Sequence, residues 1–265
     1  MFSEGKAHEG EGLQIDGWAC HSTLPRASSV QHLRSPMDLD DLCAQFVKAQ
    51  LAGDRREALR LVMEEGVGRG APAAELSQHV LEAAQREIGL LWQDNRISVA
   101  DEHLATAVAQ VVLAHLYRLS PASPLIGKLV VFGCVEGEHH DFPARLAADA
   151  LDLAGYEVRF LGADVPTESL VSMIHRERPD LVALSATMSF NLHSLRMTVA
   201  RLRSDFGDAL PILVGGAACS TLADPAGELG ADEFARDARE LIEVAGRLVA
   251  RPASHVRHLA LGGTA

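Results

Sequence analysis

From Lys128 onward the chain alternates between short apolar runs and amphipathic stretches, and that alternation leaves few folds open. KLVVFGCV (128–135), EVRFLG (157–162), DLVALS (180–185) and PILVGG (211–216) have the length and β-branched content of strands buried on both faces. Helical periodicity fills the intervals over 144–154, 167–178 and 192–206. LADPAGELGADEFA (222–235) then supplies a helix and a last short strand, and DARELIEVAGRLVA (237–250) a terminal helix. Strand and helix in strict turn predict a parallel sheet covered on both sides. The expected fold is a flavodoxin-like (Rossmann-like) doubly wound five-stranded sheet, with its ligand beyond the C-terminal ends of the strands.

The preceding stretch has a different period. Leu39, Leu42, Phe46 and Val47 recur at helical spacing up to Gly53, and Asp54 can cap RREALRLVMEEG with Ala58, Leu61 and Val62 on one face. A third helix is expected to start with Pro72 as its first residue, carrying the stripe Leu76, Val80, Ala84, Ile88 and Leu91. Ser98 can cap the fourth, VADEHLATAVAQVVLAHLYRL. Four helices with short connections predict a bundle over 37–120, and Ser120-Pro-Ala-Ser-Pro124 reads as a linker to an α/β domain over 126–251. Residues 1–36 read as a flexible arm, with one ordered patch around Trp18, and 252–265 as a tail.

Charge and cysteine usage narrow the partners. A net charge of −12, with no long Lys/Arg cluster, argues against direct nucleic-acid binding and leaves a protein as the expected partner of any regulator. No run approaches the ~20 apolar residues of a membrane span, and the first residues lack a secretory pattern, so a cytoplasmic protein is expected. Cys20, Cys43, Cys134 and Cys219 form no CxxC, which speaks against a zinc site or a disulfide framework. Cys134 and Cys219 are expected in the core.

The chemistry is expected in the loops after strands one, three and four. The first, Glu136-Gly-Glu138-His139-His140-Asp141, sets two imidazoles among three carboxylates. Imidazole is a good ligand for a transition metal, and Glu138, two residues before His140, can take the proton on its far nitrogen. On residue types alone a metal site and a solvated acidic loop fit equally well. Neither GxGxxG nor GxxxxGK[ST] occurs, so phosphate-cradling loops have little support.

The C-terminal half resembles the cobalamin-binding domains of corrinoid proteins, whose motif is DxHxxG, then SxL, then GG. The matching residues are Glu138 to Pro143 with His140 at the histidine, Ser185-Ala-Thr187, and Gly215-Gly216. The resemblance implies that His140 displaces the cofactor's own base to become the lower cobalt ligand, and that Glu138 hydrogen-bonds it. Ser185, Thr187, Ser189, Gly215 and Gly216 would receive the nucleotide tail in a deep slot. Glutamate stands for the motif's aspartate, Thr187 for its leucine, and Pro143 for the glycine at the mouth of the slot.

The helical half is similar to the cap of CarH/LitR-type light sensors, in which a tryptophan and a Glu-His pair line the upper face of cobalamin. Trp92, Glu102 and His103 are the matching positions. Gln93 stands where some sensors carry a histidine that captures cobalt, so no bis-histidine state is expected from that position. Methyl-carrier corrinoid proteins have a related bundle without this constellation. With no DNA reader, the chain most resembles the AerR/PpaA group of antirepressors. That resemblance implies a non-enzymatic, light-responsive transcriptional regulator that acts on a repressor of the CrtJ/PpsR type, with adenosyl, methyl or hydroxo as the upper ligand. Two rivals stand beside it: a corrinoid protein carrying methyl groups in a methyltransferase system, and a haem-binding redox sensor using His103, His139 or His140.

Overall fold

The computed structural model describes residues 38–250. The expected arm, its patch around Trp18 and the expected tail lie outside the described residues.

Helix α1 (Leu39–Leu51) is capped by Asp38, which accepts from the amides of Asp40 and Asp41. Asp54 caps α2 (Arg55–Arg60) by accepting from Glu57 N, and the helix runs on as a π-helical turn, Leu61–Gly66. The third rod combines α3 (Ala73–Leu76), a π-helical turn (Ser77–Glu82) and α4 (Ala83–Gln93). Pro72 is its N-cap rather than its first helical residue: its extended ψ of 139° keeps it outside the helix. Ser98 and Asp101 form a reciprocal capping box at the head of α5 (Val99–Leu119). Phe46, Leu61, Leu76, Val80, Ile88, Val112 and Leu116 close the bundle's interior. Each such side chain contributes about 1.5–3 kcal/mol through burial.

The segment after α5 is pinned rather than free. Ser123 N donates to Leu153 O and Ile126 N to Gly155 O, both at 2.8 Å. Gly155 has φ of +98°, and a Cβ there would meet Pro124 O at 2.3 Å, so only glycine allows the linker to lie this close.

Five parallel strands follow: β1 (Leu129–Cys134), β2 (Glu157–Phe160), β3 (Leu181–Ser185), β4 (Ile212–Gly215) and β5 (Glu233–Ala235). They lie in the order β2-β1-β3-β4-β5, the flavodoxin-like order expected from sequence. Residue alternation sorts the two faces. Val131, Val182, Leu184, Ile212 and Val214 pack with α7 (Thr167–Glu177) and α8 (Leu192–Phe206). Val130, Phe132, Cys134, Ala183 and Leu213 pack with α6 (Phe142–Leu153) and α10 (Ala238–Val249). The short α9 (Pro225–Leu229) leads into β5. Cys134 and Cys219 are both buried, as expected, and burial pushes each thiol up to about 12.

Helix α6 ties the halves together. Phe142, the first residue of α6, is buried in the bundle's core cluster, with Leu146 packed against the same cluster. This fixes the loop that carries His140 beneath the helices.

Candidate functional site

Glu138 is the hub of the loops at the strand ends. Its side chain is fully buried, and both oxygens are saturated. Oε1 accepts from the backbone N–H of His140 at 2.9 Å and lies 2.7 Å from that residue's Nδ1. Oε2 accepts from Thr187 N at 2.8 Å, Met188 N at 2.9 Å and Asn191 Nδ2 at 2.8 Å. Burial alone would push this carboxyl up. The hydrogen bonds from His140, Met188 and Asn191 outweigh it and hold the group at about 2. The carboxylate is therefore ionised, and it welds the loop after β1 to the loop after β3.

That charge sets the state of His140. The hydrogen bond to Glu138 raises the imidazole's pKa, burial opposes the rise, and the charges of Glu138 and Glu102 add to it. With the Nδ1 proton held by Glu138, the neutral ring has its lone pair on Nε2, the arrangement a metal-ligating histidine needs. The Trp92 ring lies 6.2 Å from the His140 ring, centroid to centroid, tilted by 41°. Glu102, in the first turn of α5, brings its charge to the same place, whereas His103 is well exposed and only approaches Glu102, at 3.6 Å.

Beside this group runs a cavity of about 520 Å³, within the range of small-molecule sites. Gln85, Gly89 and Gln93 of α4 form one wall, Phe142, Pro143 and Ala144 of α6 another, and Ala183, Ser185, Leu213 and Gly215 of the sheet the floor. Ala147 and Ala235 keep it open, since larger side chains there would fill it. Pro143 sits in the wall without closing the slot, because the α6 N-terminus accepts proline in its first turn.

The structure gathers the expected residues unevenly. Gln93, Ser185, Thr187, Gly215 and Gly216 line the cavity; Trp92, Glu102, His103, Glu138 and His140 lie outside its wall. Ser189 does not line the cavity: it is exposed, at the start of the 3-10 turn Ser189–Asn191, and that turn sends Asn191 inward to Glu138. Gly216 is held by a backbone constraint of its own. It has φ of +97°, and a Cβ would meet Ala186 O at 2.3 Å, so the protein's own backbone already demands glycine there. Asn191, Gln85, Thr106 and Phe142 escaped the sequence reading, because each acts through a contact distant in the chain.

Among the described residues no group of three or more His, Cys, Asp or Glu side chains could hold a metal ion. A corrin brings four equatorial nitrogens of its own, so a single imidazole suffices as protein ligand. Two buried polar atoms lack partners on residues that line the cavity, Thr187 Oγ1 and Gln85 Nε2. Such atoms cost stability unless a bound group satisfies them. The donor set fits a polar macrocycle with an amide- and nucleotide-bearing periphery.

Residues 128–245 match the family model of the B12 binding domain, and residues 42–117 match a second model of the same description. The chain is built of B12 binding domains, and its cofactor is cobalamin. This cobalamin-binding protein is 28% identical over 218 residues to a dimethylamine corrinoid protein of Methanosarcina barkeri, covering 81% of this chain and 100% of that one. It is 35% identical over 148 residues to the HTH-type transcriptional repressor CarH of Myxococcus xanthus, covering 56% of this chain and 48% of the repressor. Among solved structures, the Methanosarcina barkeri monomethylamine corrinoid protein shares the fold, with a TM-score of 0.64 and 23% identity over 79% of this chain and 97% of that one. No helix among the described residues is long and apolar enough to cross a membrane.

Proposed function

We propose that this cobalamin-binding protein is a corrinoid carrier. His140 Nε2 would be the nitrogen that holds the cobalt, and a partner enzyme would supply or remove a methyl group. When bound, the cofactor would supply a cobalt centre able to carry a methyl group. Glu138 keeps the proton on Nδ1 and so fixes which nitrogen faces the metal. Ser185 and Thr187 offer hydroxyls to the nucleotide tail, and the alanine-lined slot excludes water around it. The observation that carries this reading is the likeness to a dimethylamine corrinoid protein along that protein's whole length. The regulator expected from sequence has the narrower support, since the likeness to CarH spans about half of the repressor.

A second reading retains one specific observation in its favour. The Trp92 ring stands over His140 at 6.2 Å, and Glu102 brings its charge to the same imidazole. In a light-responsive regulator this packing of α4 and α5 over His140 would change with illumination, and a transcriptional repressor would be the partner.

One experiment separates the two. The protein is loaded with methylcobalamin and divided between darkness with a corrinoid:thiol methyltransferase and a thiol, and light without them. The carrier reading expects the methyl group on the thiol sulfur in the dark, with repeated turnover when a methyl donor system is added. No dark transfer, together with binding to a transcriptional repressor that differs between dark and light, would replace it with the regulator.

A further inference from the structure

Gln85 stands in the cavity wall on α4, and its amide is only half used. Its Oε1 lies 2.8 Å from the hydroxyl of Thr106 on α5, while its Nε2 is buried with no partner. The same hydroxyl lies 2.9 Å from Glu102 Oε1. A hydroxyl has one proton to give. Given to the carboxylate, the stronger acceptor, it leaves oxygen facing oxygen across 2.8 Å between Thr106 and Gln85.

A half-turn of the Gln85 amide removes both faults without moving any packing, because the two ends have the same shape. Gln85 N–H then donates to Thr106, Thr106 donates to Glu102, and a carbonyl oxygen takes the buried position with no protein partner. A lone buried carbonyl is tolerated better than a stranded NH2. The unpartnered oxygen is then buried on a residue that lines the cavity, and a ligand that satisfies it must bring a donor.

We infer that Gln85 binds the corrin directly, its carbonyl oxygen accepting an N–H from one of the primary carboxamide arms at the ring's edge. Thr106 is a positioning residue: with Glu102 behind it, it decides which end of the Gln85 amide faces the ligand. The inference rests on the cobalamin assignment and is the same for a carrier or a regulator.

The test is an absorbance titration of the apoprotein with hydroxocobalamin in the dark, with thermal melts of each apoprotein beside it. Q85L should weaken binding about tenfold, the upper end of what one neutral hydrogen bond contributes. Q85E should recover most of that loss, because a glutamate here presents an acceptor oxygen whether ionised or protonated towards Thr106. T106V should weaken binding severalfold in the Gln85 background and add little to Q85L, with T106S restoring the wild-type value. Q85E as weak as Q85L would make the amide a donor and overturn the inference. So would Q85L binding like wild type, or additive losses from Q85L and T106V. A wild-type protein that retains no cobalamin would remove the cofactor assignment itself, an outcome distinct from all of these.

Discussion

Glu138 grips His140 twice, at the backbone N–H from 2.9 Å and at ring Nδ1 from 2.7 Å, with a single carboxylate oxygen. The other oxygen is spent on the loop after β3. The residue that orients the imidazole therefore also ties two strand ends together, so orientation and folding are not separable at this position.

Replacing Glu138 by Gln tests that double role. The amide cannot accept all five hydrogen bonds, and at least one buried N–H loses its partner. Apoprotein stability in urea at pH 7 should fall by about 2–3 kcal/mol, the cost of a charge-assisted buried bond. Glu138→Asp should keep more of the imidazole contact than of the contacts to Thr187 and Met188. Unchanged stability in E138Q would mean the carboxylate is not the weld between the loops.

The slot predicts a selective loss. Ala147→Leu places a branched side chain in the part of the cavity wall that α6 forms. Affinity for cobalamin should fall at least tenfold, whereas affinity for cobinamide, which lacks the nucleotide tail, should change by less than about threefold; tenfold corresponds to about 1.4 kcal/mol. Equal losses for both ligands would place the tail elsewhere.

Phe142→Ala should cost about 3–5 kcal/mol, the usual range for emptying a buried phenylalanine site. The loss should show in urea melts. Because Phe142 joins the bundle's core at the start of α6, residual folded protein should also bind cobalamin more weakly. A loss below about 1 kcal/mol would show that the bundle does not depend on this anchor.

Asp149 gives the pH dependence. Burial, together with the neighbouring Asp152 charge and against Arg145, raises its carboxyl from 3.8 to about 6. The folded state thus binds a proton more readily than the unfolded chain, so this group adds stability as pH falls from about 6 to 3.8 and opposes folding above that window. Asp149→Asn should raise apoprotein stability at pH 7.5 by about 1–2 kcal/mol and flatten the slope between pH 6 and 4. A wild-type slope that persists in the variant would assign it to another group.

Much of this was legible in the sequence, for identifiable reasons. Strands buried on both faces leave uninterrupted runs such as Leu181–Ser185, and the parallel pairing of the sheet follows from strict alternation with helices. Glu138 and His140 are two residues apart, so their pairing could be read locally. Asn191 is 53 residues from Glu138 and Thr106 is 21 from Gln85, and no local period announces either contact. The π-helical turns at Leu61–Gly66 and Ser77–Glu82 were invisible because they interrupt neither apolar stripe. A turn after a strand does not reveal which of its residues points inward, so the sequence does not distinguish exposed Ser189 from buried Asn191.

The most direct test of the account is the absorption spectrum of cobalamin bound to the wild-type protein and to His140→Ala. Wild type should show the spectrum of cobalamin whose lower base is replaced by a protein imidazole, and the variant should lose those features along with at least tenfold in affinity. A variant that binds as tightly, with an unchanged spectrum, would contradict His140 as the lower ligand, and with it the account of how Glu138 orders this site.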